Sequence, residues 1–107
     1  MKYRSNWELQ YMLYLDGNEK VVSYQYEAIK IPYVSNKKTG KTRNYLPDFL
    51  IKWDDGLTEV VEIKPKRKLE GAIVKKKVTA GEMWCAVNGV SWRVLTEDGL
   101  KALGLIK

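Results

Sequence analysis

The chain has 107 residues, 45% of them hydrophobic and 30% charged, with 19 Lys and Arg against 13 Asp and Glu, a net charge of +6 and a pI near 9.4. That balance suits one compact domain over residues 1–107 and excludes a disordered, collagenous or bilayer-spanning chain, while the positive charge favours an anionic partner such as nucleic acid. With no histidine and a single cysteine, Cys85, the chain cannot build a Ser–His hydrolase, a histidine-ligated zinc site, a thiolate cluster or an internal disulfide, so its chemistry must rest on carboxylates and lysines.

The start, Met1-Lys2-Tyr3-Arg4, leads into no signal-peptide core, and a cytoplasmic location is the expectation. Ser5 with Glu8 three residues on forms a capping-box pattern, and Trp7, Leu9, Tyr11, Met12, Leu13 and Leu15 supply an apolar face, predicting a helix that ends by Gly17. Residues 21–26 and 29–34 are rich in β-branched and aromatic side chains and read as strand, bent near Glu27 and Ala28, with Pro32 marking an edge or irregularity. Residues 35–42 read as an exposed turn. One strand is expected over 43–53, then a hairpin at Asp54-Asp55-Gly56, then its partner over 58–64, stopped by Pro65. A helical stretch over 69–87, weakened by Gly71 and Gly81, ends at Asn88-Gly89, and a strand at 91–95 precedes a last helix over 100–103 capped from Thr96-Glu97-Asp98. The order is helix, three strands, helix, strand, helix.

The chemistry concentrates in residues 46–51 and, after the hairpin, in Val60-Val61-Glu62-Ile63-Lys64. Alternation puts Glu62 and Lys64 on one face of their strand and turns Ile63 toward the core, leaving its carbonyl on offer. Asp48, Glu62 and the Ile63 carbonyl are hard oxygen donors of the kind that hold Mg2+ or Mn2+. Lys64 beside them is suited, as a neutral amine, to deprotonating water or, as an ammonium, to orienting it and offsetting charge on a phosphorane. Glu8, on the first helix, is expected to reach the cation through water. Each residue also has a plainer role: Glu62 and Lys64 as an exposed ion pair, Asp48 as a surface carboxylate, Glu8 as a capping partner. The hairpin between the two halves and the acidic helix before them favour the catalytic reading.

Gly40-Lys41-Thr42 mimics the end of a phosphate-binding loop, but Ser35 stands where its first glycine belongs, and residues 43–47 read as a strand that cannot open the helix such a loop requires. The turn, with Lys41 and Arg43, is expected to touch DNA backbone instead. Lys66, Arg67 and Lys68, and the run Lys75, Lys76 and Lys77, come after the catalytic strand and are expected to bind phosphates flanking the cut. Tyr24, Tyr26, Tyr33 and Tyr45 alternate with basic residues and are expected to pack rather than to act.

Through Pro47-Asp48 and Glu62-Ile63-Lys64 the chain resembles the PD-(D/E)XK nuclease superfamily. Residues 4–8, 24–34 and 45–50 look like the phage junction-resolving endonuclease I family, and are also similar to TnsA-type transposon end-cleaving nucleases and to head-completion nucleases of contractile-tailed phages. The resemblance implies an α/β, restriction-endonuclease-like fold with an αβββαβ core, a central mixed sheet flanked by helices. It also implies a magnesium-dependent DNA endonuclease with Glu8, Asp48, Glu62 and Lys64 in its site and Gln25 as an auxiliary member. The expected partners are DNA, recognised by its structure or ends, a second copy of the chain so that both strands can be cut, and a phage or transposition protein. The alternative is a non-catalytic DNA-binding or virion head-completion protein on a nuclease fold.

Overall fold

The computed structural model describes residues 5–107; Arg4, which opens the N-terminal motif, lies outside them. Helix α1, Asn6–Asp16, starts where Ser5 Oγ accepts the Glu8 amide N–H at 3.2 Å, satisfying one of the orphan donors of its first turn. Strands β1 (Val21–Tyr26), β2 (Ile31–Asn36), β3 (Lys41–Tyr45), β4 (Phe49–Trp53) and β5 (Thr58–Ile63) come next. A 3-10 turn, Lys66–Lys68, leads to α2 (Ala72–Asn88), β6 (Ser91–Leu95) and α3 (Glu97–Ala102). Among the described residues no helix is long and apolar enough to cross a membrane.

The central sheet has the order β1-β4-β5-β6, with β4 antiparallel to β1 and β5, and β6 parallel to β5 across the α2 crossover. Taken as α1-β1-β4-β5-α2-β6, the chain has the expected αβββαβ core in a mixed sheet flanked by helices. The expected order of elements did not include the separate β2–β3 hairpin, inserted between the first two strands of that sheet.

The single strand expected over 43–53 is therefore two. β1 and β4 run as a paired ribbon up to Tyr26 opposite Phe49, and the pairing resumes at Ile31 opposite Tyr45 in the second sheet, so residues 27–30 face only 46–48. Pro47 has no N–H to give a ladder, and the surplus on the opposite strand forces a bend. At that bend Glu27 takes a left-handed φ of 51° and its N–H donates to the Asp48 carbonyl at 2.9 Å. A non-glycine residue in that region is uncommon and tends to mark a position that the surroundings hold in place.

The sheet separates two apolar clusters. On one face Phe49, Ile51, Val61 and Ile63 pack with Tyr11, Met12 and Leu15 of α1 and with Leu95 and Leu100. On the other, Ile31, Tyr33 and Tyr45 pack against Ala80, Trp84 and Trp92. Gly81 is explained by this second cluster: a Cβ there would stand 2.5 Å from the Trp92 ring, so a glycine lets α2 close on β6. Gly71 is the N-cap of α2, which starts three residues later than the sequence pattern suggested, and Gly89 ends it at a left-handed φ of 67°.

Candidate active site

The bend that splits the long strand also sets the position of Asp48. Coming directly before Phe49, Asp48 is fully buried, and its Oδ2 accepts the Ile63 amide N–H at 2.8 Å. In return its own amide donates to Glu62 Oε1 at 3.2 Å. The two carboxylates are laced reciprocally, each taking an N–H from the other's strand. Tyr45 donates its hydroxyl to the same Glu62 oxygen at 2.6 Å, and Lys64 Nζ lies 3.4 Å from Glu62 Oε2. Glu62 is 3% exposed, so the surface ion pair weighed for it does not describe it.

Glu8 is also buried, and Tyr26 donates its hydroxyl to Glu8 Oε2. The N-cap of α1 holds through Ser5, but the Glu8 side chain turns inward. It borders a cleft of about 470 Å³ together with Ile63, Lys64, Arg67 and Lys68. Asp48 and Glu62 lie behind this cleft rather than on its wall, next to its lining residue Ile63, Asp48 by its hydrogen bond to the Ile63 amide and Glu62 by sequence. The expected alternation of β5 is present: Val61 and Ile63 enter the α1-side core, whereas Glu62 meets Tyr45 on the other face.

Among the described residues no three carboxylates or thiols converge as a ready-made cation cage. The donor set at the corner is Asp48, Glu62 and the Ile63 backbone, with Glu8 at the cleft. The hydrogen bonds described at Glu8, Asp48 and Glu62 come from hydroxyls and amides, and the Lys64 ammonium pairs with Glu62. Hard oxygen donors of this kind fit Mg2+ or Mn2+ and do not fit a thiophilic metal.

The remaining predicted residues are spread more widely. Gln25 is exposed on β1 opposite Leu50, and no hydrogen bond or ion pair joins it to the acids among the described residues. Arg67 and Lys68 are exposed at the cleft, but Lys66 is clasped by α3: its Nζ lies 2.5 Å from Asp98 Oδ2 and its amide donates to Glu97 Oε1 at 2.9 Å. The pairing raises the Lys66 ammonium above its ordinary range and lowers the Asp98 carboxyl; Glu97 is lowered chiefly by accepting the Lys66 amide. Of the α2 run, Lys75 pairs with Glu70 at 3.3 Å, Lys76 donates to the Ser35 carbonyl at 2.9 Å and Lys77 is half-buried. Lys41 and Arg43 are exposed on β3.

Sequence reasoning missed Tyr45 and Tyr26, the two hydroxyls that hold Glu62 and Glu8. Strand alternation holds no signal for Tyr45, because the break at Pro47 resets the faces between it and Asp48.

A model of the TnsA-like endonuclease N-terminal family matches residues 18–97, a span that contains Asp48, Glu62 and Lys64. The head completion nuclease of Enterobacteria phage T4 is 32% identical over 124 aligned residues, covering 95% of this chain and 82% of that protein.

Proposed function

The chain belongs to the TnsA-like endonuclease N-terminal family, and so to the PD-(D/E)XK-type nucleases of phages and transposons, and from that premise we propose that it hydrolyses DNA phosphodiesters with Mg2+ or Mn2+. The observation that carries this reading is the Asp48–Glu62 lacing with the Lys64 ammonium against its outer oxygen. Asp48, Glu62 and the Ile63 carbonyl, with Glu8 beside them, would hold a divalent cation, which would supply Lewis acidity to the reaction.

The protein's own groups do the rest. Lys64, as the ammonium that pairs with Glu62, orients the attacking water and offsets charge building on the phosphorane. Tyr45 and the Asp48 amide fix Glu62 from one side, leaving its Oε2 directed at Lys64. Arg67 and Lys68 bind the phosphates that flank the cut, and Lys66, Lys77, Lys41 and Arg43 extend that basic track. Gln25 serves as an auxiliary group. Its register partner Leu50 stands opposite Val60, so Gln25 shares the sheet face of Val60 and Glu62.

Two kinds of relative, TnsA-like endonucleases and a phage head completion nuclease, support nuclease action in a phage or mobile-element setting; as part of the same proposal, the substrate is DNA ends or branched DNA, cut on both strands by a homodimer with a protein partner to choose the site. Plasmid nicking with and without EDTA tests the central reading. Nicking that needs Mg2+ or Mn2+ and is lost in Lys64→Ala is the expected result. DNA binding with no nicking in either metal would instead favour a non-catalytic virion or DNA-binding protein.

A further inference from the structure

A second concavity, of about 660 Å³, lies between α2 and β2 and shares no lining residue with the catalytic cleft. Its walls result from the two periodicities. On β2, Ile31 and Tyr33 are buried, which turns Val34 outward, 46% exposed. On α2, Ala80, Met83, Trp84 and Val87 recur at helical spacing along one face. Met83 is 64% and Val87 85% exposed. Large apolar side chains gathered in a hollow mark an interaction site far more often than the same residues scattered singly.

The charge around this hollow says what it takes. Lys37, Lys75 and Lys76 line it, and no acidic side chain does. Lys76 is already spent on the Ser35 carbonyl, where it ties α2 to the hairpin and sets the width of the groove. Lys75 is held only by an exposed pair with Glu70, the kind of contact that exchanges readily. A second copy of the chain meeting this face about a two-fold axis would set like lysines against each other, in a protein of net charge +6. Duplex DNA would leave Val34, Met83 and Val87 in water under its phosphates.

We propose that the groove docks an acidic amphipathic segment of a partner protein, its apolar side chains seated on Val34, Met83 and Val87 and its carboxylates on Lys37 and Lys75. The arrangement is the helix-in-groove mode with electrostatic complementarity at the rim. It does not depend on the nuclease reading.

The test uses the full chain and a synthetic amphipathic helical peptide with leucines along one face and glutamates flanking them, beside a version with lysines in place of the glutamates. The Met83 methyl resonance should shift saturably with the acidic peptide, and the basic peptide should bind about tenfold weaker or less. Met83→Glu should abolish the shift of groove resonances, and Lys37→Glu should weaken binding. Both substitutions lie at the surface and should leave thermal unfolding unchanged, and Met83→Glu should also leave plasmid nicking unchanged. Equal binding of the two peptides, or no shift with the acidic one, would overturn the proposal. So would a Met83 shift that appears on concentrating the protein alone, or displacement of the acidic peptide by duplex DNA.

Discussion

Strand β5 buries two glutamates three residues apart, Glu59 at 4% and Glu62 at 3% exposure, on opposite faces of one sheet. Glu59 is closed off by a full guanidinium: Arg93 Nη2 and Nε lie 2.8 and 3.1 Å from its Oε2, and Trp53 Nε1 donates to its Oε1 at 3.3 Å. That pair ties β6, β5 and the end of β4 together. Glu62 is held by a phenol and an amide, with the Lys64 ammonium set back at 3.4 Å. A buried carboxylate clamped by a guanidinium at 2.8 Å is a strut, whereas one shared between a phenol, an amide and an ammonium at 3.4 Å is held less tightly by its cation.

The sharpest way to break that comparison is to exchange the outcomes of mutating the two ends. Lys64→Ala removes a charge needed at the transition state but no metal ligand. Cleavage should fall about a hundredfold or more, roughly 2.7 kcal/mol of barrier, while DNA and metal binding persist. Asp48→Asn should lose metal affinity as well, measured by calorimetric titration of Mn2+, and should still fold, because an amide oxygen can accept the Ile63 N–H in place of Oδ2. Arg93→Ala should do the reverse. It strands Glu59 and should cost about 2 kcal/mol of stability by urea denaturation, less than a fully buried pair because the Arg93 side chain is 49% exposed. Turnover per folded molecule should not change. Equal loss of turnover in Arg93→Ala and Lys64→Ala would erase the distinction.

Tyr45→Phe sharpens it with a smaller effect. Removing one hydroxyl leaves Glu62 Oε1 with only the Asp48 amide of the two donors described. Outer partners of this kind are worth about ten- to a hundredfold in metal affinity or activity. Cleavage should drop about tenfold at limiting Mn2+ and recover with excess metal, a recovery that a merely loosened core would not give.

How far such residues were legible depended on whether their signal was local. Ser5, the Asp54-Asp55-Gly56 hairpin, Pro65 and Gly89 act through the chain within a few residues, and each marks an element boundary as expected. Asp48, Glu62 and Lys64 meet because a hairpin brings their strands together, which spacing alone conveys. The break at residues 46–48 was not legible, since Pro47 within a β-rich run is compatible with an edge strand as well as a sheet switch. Tyr45 was invisible for the same reason, its hydroxyl finding Glu62 17 residues away only once the ribbon has bent, and Tyr26 because its acid, Glu8, lies 18 residues away on another element. The lysines of α2 read as one run expected to bind phosphates. Packing against the hairpin divides them, sending Lys76 to Ser35 and Lys75 to the surface.

The smallest expected effect concerns the basic rim of the cleft. Lys66 is clasped by Asp98 in a fully exposed pair, so the clasp adds little to stability. Its pH limits are set by the two shifts. The Asp98 carboxyl is lowered, so its contribution is complete above the ordinary carboxylate range and is lost only as pH falls through the depressed value. The Lys66 ammonium is raised, so its contribution is complete below the ordinary lysine range and is lost only as pH rises through the raised value. Across neutral pH the clasp is intact, and Asp98 competes with any phosphate for Lys66. Asp98→Asn should therefore leave the melting temperature unchanged and steepen the dependence of log K on log salt for duplex binding by up to about 0.9, the release of roughly one counterion. Arg67→Ala should flatten the slope by a similar amount, since Arg67 is exposed at the cleft. If Asp98→Asn leaves the slope untouched, Lys66 is a tether of α3 and does not contact DNA.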